Sequence, residues 1–124
     1  MSLLLTPREE LLWLAALLDG EGCFTLNGEY PNVVLCMTDE DTVRLARTRS
    51  GVGSVTGPHI PRSPKHKKFW RWKVARRAEV FGLCKAVKPY MSERRTAQIQ
   101  LLLEKETEED RIAPIWVRVD QWEK

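Results

Sequence analysis

Apolar and polar residues follow two different periods along this chain, and the changes of period divide it into elements. From Leu11 to Leu18 the residues are apolar on every side, which predicts a helix that must be covered all round, by its own domain or by another chain. Thr6-Pro7-Arg8-Glu9 ahead of it is a capping box with proline at the first helical position, so the helix begins there and is expected to reach Asp19 or Gly20. The period then drops to two. Gly22 to Asn27 places Phe24 and Leu26 on one face and Cys23, Thr25 and Asn27 on the other, as a strand does. Asn27-Gly28-Glu29-Tyr30-Pro31 supplies turn chemistry, and Asn32 to Thr38 returns with Val33, Leu35 and Met37 inward and Asn32, Val34, Cys36 and Thr38 outward.

Thr38 followed by Asp39, Glu40 and Asp41 predicts a second helix start, because a hydroxyl cap and early acids suit the positive end of the helix dipole. That helix carries Val43, Leu45 and Ala46 and stops at Gly51. Gly51 to Gly57 reads as a short strand and Pro58 to Lys67 as a loop. Lys68 to Arg76 is the return strand, with Trp70, Trp72 and Val74 on one face and Phe69, Arg71, Lys73 and Ala75 on the other. Alternation with Val74 assigns both tryptophans to the core. Ala78 to Lys88 is helical and ended by Pro89, and Ser92 caps a further helix to about Glu108 that buries Met91, Ile99, Leu102 and Leu103. The acidic stretch Glu104 to Asp110 is expected to fray into solvent. Ile112 to Trp122 reads equally as a strand or as a packing arm, and is taken as an extended arm. The order is αββαββα, an α+β domain with one four-stranded antiparallel sheet, a C-terminal helix and the arm. One domain is expected over residues 1–124, with its core in 6–108 and the arm in 111–124.

Composition narrows the picture. At 124 residues and 43% hydrophobic the chain holds one small domain with a real core. Three cysteines, Cys23, Cys36 and Cys84, without CxxC spacing indicate neither a disulfide framework nor a zinc knuckle, and are expected to be reduced thiols. His59 and His66 lie in the Pro- and Lys-rich loop without ligand spacing and read as solvated. No apolar run approaches a bilayer span or a signal-peptide core, so a soluble intracellular protein with no membrane partner is expected. The net charge of +3 conceals segregation: Arg62, Lys65, Lys67, Lys68, Arg71, Lys73, Arg76 and Arg77 are not interrupted by any acid. A polyanion meets a basic patch.

Two constellations follow. The outward residues Thr25, Asn27, Asn32, Thr38, Ser54, Thr56, Phe69, Arg71 and Lys73, joined by Arg62, Lys65, Lys67 and Lys68 from the loop, form a strip of hydrogen-bonding groups and cations suited to a nucleic-acid groove. The plain alternative is a solvated sheet face. Asp19 and Glu21 end the first helix, where its last carbonyls already make the potential negative, so a carboxylate there calls for a cation. On the same helix Leu12, Ala15, Ala16 and Asp19 share one side, and the alanines let a second helix approach closely.

The segment Trp13 to Phe24, W-L-A-A-L-L-D-G-E-G-C-F, resembles the signature of the LAGLIDADG homing endonucleases, with Ala16 where glycine is usual. Met37-Thr38-Asp39, Gly51-Val52-Gly53, the Trp70/Trp72 strand and Pro89-Tyr90-Met91 are similar to later landmarks of that family. The resemblance implies a homodimer built on the first helix through Leu12, Ala15, Ala16 and Asp19. It implies a palindromic or near-palindromic double-stranded DNA target, and metal-dependent cleavage of both strands across the minor groove to leave 3′ overhangs. Glu21 would be catalytic and would hold Mg²⁺ or another divalent cation, with the Gly20 carbonyl as a second ligand. Asp39 stands where the family has a polar residue that positions water. Arg94 stands where a lysine is usual, and an always-charged guanidinium clamps a phosphate but does not act as a base. Without the family, Asp39 reads equally as a helix N-terminal acid, Arg94 as a surface cation and Asp19 as a structural acid. Two rival functions stay open: a nucleic-acid-binding protein on this scaffold that does not cut, such as an intron maturase or a DNA-binding regulator, and a dimerisation module, which leaves the run of cations unexplained.

Overall fold

A computed structural model describes residues 5–112 of the chain. The first helix, α1 (Pro7–Glu21), opens on the capping box: the Thr6 hydroxyl accepts from the Glu9 backbone N–H at 3.1 Å, and the Glu9 carboxylate accepts from the Thr6 N–H at 3.0 Å. It extends through Gly20 and Glu21, past the expected end, and the chain enters strand β1 (Gly22–Asn27) with no intervening loop. Only glycine fits that junction, since a Cβ at Gly22 would lie 2.7 Å from Leu18 Cδ2 and 2.9 Å from the Leu18 carbonyl oxygen. A turn with positive φ at Gly28 leads into β2 (Tyr30–Met37).

The second helix, α2 (Glu40–Ser50), is capped by Asp39 and not by Thr38, which lies just beyond the end of β2. Leu45 is exposed, because Val43 and Ala46 turn the buried side of this helix inward. The second hairpin pairs β3 (Ser54–His59) with β4 (Phe69–Val74), displaced toward the loop from the expected strand at Gly51–Gly57. Gly53, with φ +79°, is needed here: a Cβ would meet Lys73 O and Trp72 Nε1, each at 2.7 Å. The antiparallel sheet has the order β1-β2-β4-β3.

Helices α3 (Arg77–Val87) and α4 (Glu93–Leu103), joined by a 3₁₀ turn at Lys88–Tyr90, complete the layer beneath the sheet. Phe24, Val33, Leu35, Trp72 and Val74 from the sheet meet Leu11, Leu14 and Leu18, Val43, Leu83 and Val87, and Ile99 and Leu102 in one core. Cys84 lies inside it, and burial pushes its thiol up to about 12.

The stretch expected to fray is folded. α4 ends at Leu103, and Thr107 starts a short helix α5 (Glu108–Ile112), where its N–H donates to Asp110 Oδ2 at 2.9 Å. Its acids are used: Asp110 pairs with Arg77 at 3.0 Å and Glu106 with Lys85 at 2.7 Å. Burial works against the Asp110 carboxylate, but bonds from Arg77 and Thr107 outweigh it and hold the pKa below the usual aspartate range. Arg77 also donates to the carbonyls of Glu29 and, at 2.6 Å, Lys105, so one guanidinium ties the tip of the first hairpin to the far end of the fold. Of the expected arm, Arg111 and Ile112 belong to α5 and the rest lies outside the described residues.

Candidate nucleic-acid interface and active site

Because α1 runs straight into β1, the orientation of Glu21 is set by the packing of both. Leu14, Ala15 and Leu18 on that helix are 0–1% exposed, while Glu21 is exposed at its end. There is no basic residue in the last turn of α1, and Glu21 makes no hydrogen bond or ion pair with the described residues. An unpaired carboxylate at the negative end of a helix is a place for a cation. Glu21 lines a cleft of about 560 Å³ with Cys36, Met37, Thr38, Pro61, His66, Lys67, Phe69 and Arg71. In that cleft Arg71 Nε donates to Cys36 Sγ at 3.4 Å.

The outer sheet face carries the predicted strip. Cross-strand register sets Thr25 opposite Asn32, Cys36 opposite Arg71, Arg71 opposite Thr56, and Lys73 between Val34 and Ser54. Asn27 stands opposite Tyr30 at the hairpin end. Thr38 and Lys67 lie in the cleft, while Lys68 sits 5.7 Å from the Trp70 ring centroid, and Arg62 and Lys65 are exposed on the loop. Trp72 is fully buried and Trp70 half-buried, so the tryptophans face the helices. Lys67, Arg71 and Lys73 thus adjoin small hydrogen-bonding side chains, and Glu21 lines the cleft that holds Lys67 and Arg71.

The other predicted residues separate. Asp39 is an exposed helix cap whose carboxylate accepts from the Thr42 hydroxyl at 2.5 Å, and it does not line the cleft. On α1, Leu12 and Ala16 are exposed, but Ala15 is 1% exposed within its own core, so it is removed from the free face. Asp19 is engaged inside the chain, accepting from the Ser92 N–H at 2.8 Å. Among the described residues no group of three or more His, Cys, Asp or Glu side chains is arranged to hold a metal ion. One chain therefore offers Glu21 and the backbone beside it, a sparse oxygen set. That set fits a cation such as Mg²⁺, which binds through one or two carboxylates and keeps its other positions for water and phosphate.

No family model and no curated protein matches the chain in sequence. Solved structures do match in shape. The homing endonuclease I-CvuI, in complex with its target in the presence of Ca, aligns with a TM-score of 0.62 at 16% identity over 79% of this chain and 66% of that one. With the I-CreI target in the presence of Mg, its DNA not cleaved, I-CvuI aligns with a TM-score of 0.63 at 16% identity over the same 79% and 66%. The homing endonuclease I-TnaI aligns with a TM-score of 0.56 at 17% identity over 82% of this chain and 71% of that one. This is the homing-endonuclease fold. The chain spans just under two thirds of the length of I-CvuI.

Within its homing-endonuclease fold, Arg95, which sequence reasoning missed, and Ser92, read there only as a helix cap, hold the end of α1. The buried Arg95 donates to the Asp19 carbonyl at 3.0 Å, satisfying a carbonyl of the last turn, and Ser92 binds the Asp19 carboxylate. Arg94 and Arg95 are adjacent cations in the sequence, and only tertiary packing makes one exposed and one buried. The Ser92 N–H, followed by the charges of Arg95 and Arg94, holds the Asp19 carboxyl below the usual aspartate range. A lowered folded-state pKa contributes stability that is full above the unfolded value of about 4 and is lost as pH falls through the folded one. Replacing Asp19 by Asn is therefore expected to flatten stability against pH in the acid range. Denaturant midpoints at pH values on either side of that window measure this, and an unchanged slope would remove Asp19 from the role.

Proposed function

We propose that this chain is a site-specific DNA endonuclease of the LAGLIDADG type that acts as a homodimer on a palindromic or near-palindromic site. The observation that carries the reading is Glu21, at the negative end of α1, without a hydrogen bond or ion pair among the described residues and lining one cleft with Lys67 and Arg71. The two sets of groups suit the two tasks. Lys67 and Arg71 attract and hold the phosphate backbone, and the polar outer face of the sheet meets base edges in the major groove. Glu21, with the Gly20 carbonyl, would hold a divalent cation beside the scissile phosphate. When bound, that cation makes water a better nucleophile and offsets charge on the leaving oxygen. Arg94, exposed at the start of α4 and close enough to contribute to the field at Asp19, stabilises phosphate charge without taking a proton. Asp39, held by Thr42 and next in sequence to the cleft residue Thr38, would have at most the weaker role of ordering water.

A second copy is needed because one chain supplies one such carboxylate and a duplex has two strands. The exposed stripe Leu12, Ala16 and Gly20 on α1 fits a twin helix: a Cβ at Gly20 would meet nothing within 4 Å among the described residues beyond its own turn of helix, so this glycine leaves its surface free for a neighbour. The two-fold axis would then bring both Glu21 side chains together and impose palindromy on the site. Substituting Ala16 by Arg is expected to yield a monomer at concentrations where the parent sediments as a dimer, and to abolish cleavage. A parent that sediments as a monomer when bound to DNA would overturn the dimer.

Incubating duplex target libraries with the protein and Mg²⁺ tests the activity. Specific double-strand cuts with 3′ overhangs are expected. Salt-sensitive binding without product at any metal concentration would instead establish a binding protein on the same scaffold.

A further inference from the structure

On the outer face of β4 the side chains run Phe69, Arg71, Lys73, and Phe69 is an apolar ring on a polar, cationic surface. The core does not require it, since Trp70, Trp72 and Val74 face the helices from the alternate positions. The ring is half-buried and held from two directions. Its centroid lies 5.2 Å from that of His59, and the Arg71 guanidinium lies 5.9 Å from it. His59 is itself fixed by a 2.8 Å hydrogen bond between its Nε2 and the Thr56 hydroxyl. The Phe69 ring also lines the cleft that Glu21 lines.

Resting on the endonuclease reading above, we infer that Phe69 is a specificity-determining residue that reads the 5-methyl group of a thymine, at the end of each half-site nearest the cut. Among the base-pair edges in the major groove, that methyl is the one group a hydrocarbon recognises. The remaining groups are donors and acceptors that a phenyl ring would leave unpaired. His59 and Arg71 restrict the ring before DNA arrives, so little rotamer freedom is lost on contact. The position follows from the cleft: Phe69 and Arg71 line it together with Glu21, whereas Lys73, opposite Val34, stands outside it along β4.

The test uses the full chain and duplex sites selected from a random library in the presence of Ca²⁺. Each thymine of a selected site is replaced in turn by deoxyuridine, which removes only the methyl. One inner thymine per half-site is expected to weaken binding about fourfold on replacement, the factor that burial of one methyl group supplies. That difference is expected to vanish in Phe69→Ala and to persist in Phe69→Leu, which keeps an apolar contact. A selected site that binds equally well with uracil at every inner position, or a uracil effect unchanged in Phe69→Ala, overturns the inference alone. Failure to select any duplex overturns the endonuclease reading and the inference together.

Discussion

Replacing Glu21 by Gln is expected to slow cleavage by about 10²–10³-fold while leaving target affinity nearly unchanged, since removal of one preorganised charge-stabilising group costs that order. The substitution is nearly isosteric, and Glu21 makes no hydrogen bond or ion pair with the described residues that the amide could break. Nothing in the packing of α1 depends on it, because Leu11, Leu14, Ala15 and Leu18 carry the buried side of that helix. The loss would therefore be chemical. Single-turnover cleavage at saturating Mg²⁺, beside binding in Ca²⁺, separates the two effects. A Glu21→Gln variant that cuts as well as its parent would move the chemistry elsewhere, and a fall in affinity matching the fall in rate would make Glu21 a binding residue only.

Trp72→Ala is expected to remove most of the stability of the domain. Trp72 is 0% exposed in the centre of the sheet, and its indole N–H donates to the Val52 carbonyl at 2.8 Å. Truncating a buried tryptophan costs about 3–5 kcal/mol, and the Val52 carbonyl loses its shorter hydrogen bond, worth about 0.5–1.5 kcal/mol, while keeping the one from the Ser50 hydroxyl at 3.3 Å. The whole fold of a domain this size is worth about 5–15 kcal/mol. Trp72→Phe keeps the bulk and loses the hydrogen bond, so only the smaller part of the loss is expected. Urea unfolding at one fixed protein concentration resolves these, the concentration being held because association stabilises a dimer. A shift of less than about 1 kcal/mol for Trp72→Ala would show that the site collapses around the gap.

Local chemistry was legible in the sequence wherever it was also decisive. The Thr6–Glu9 box and the alternation through Phe24, Val33, Leu35 and Trp72 predicted α1 and the inner sheet face, because short-range hydrogen bonding and side-chain period act without reference to the rest of the fold. Errors arose where partners distant in sequence decide. Glu106 and Asp110 looked like a solvated acidic run until Lys85 and Arg77 were brought against them. Ala15 looked equivalent to Ala16, and only the arrangement of helices around α1 distinguishes a core residue from a surface one. At the candidate site, the two acids Asp19 and Glu21 at a helix C-terminus are a local anomaly, and the resemblance of the flanking motif chose Glu21 between them, whereas Arg95 and Ser92 carry no local sign of their contact with Asp19. Their role exists only once α4 abuts α1.

The join of α1 to β1 without a loop has a consequence for how such a chain can evolve. Glu21 is tied through Gly22 and Leu18 to the deepest packing of the domain, so a change of neighbour there disturbs folding. Thr25, Asn32, Ser54 and Lys73, by contrast, stand opposite other residues of the outer face and away from the core. Exchanges at such positions cost within about 0.5 kcal/mol. Under the proposed function, a lineage can therefore drift from one DNA address to another by single substitutions that selection for stability scarcely sees, while the cutting chemistry is inherited unchanged.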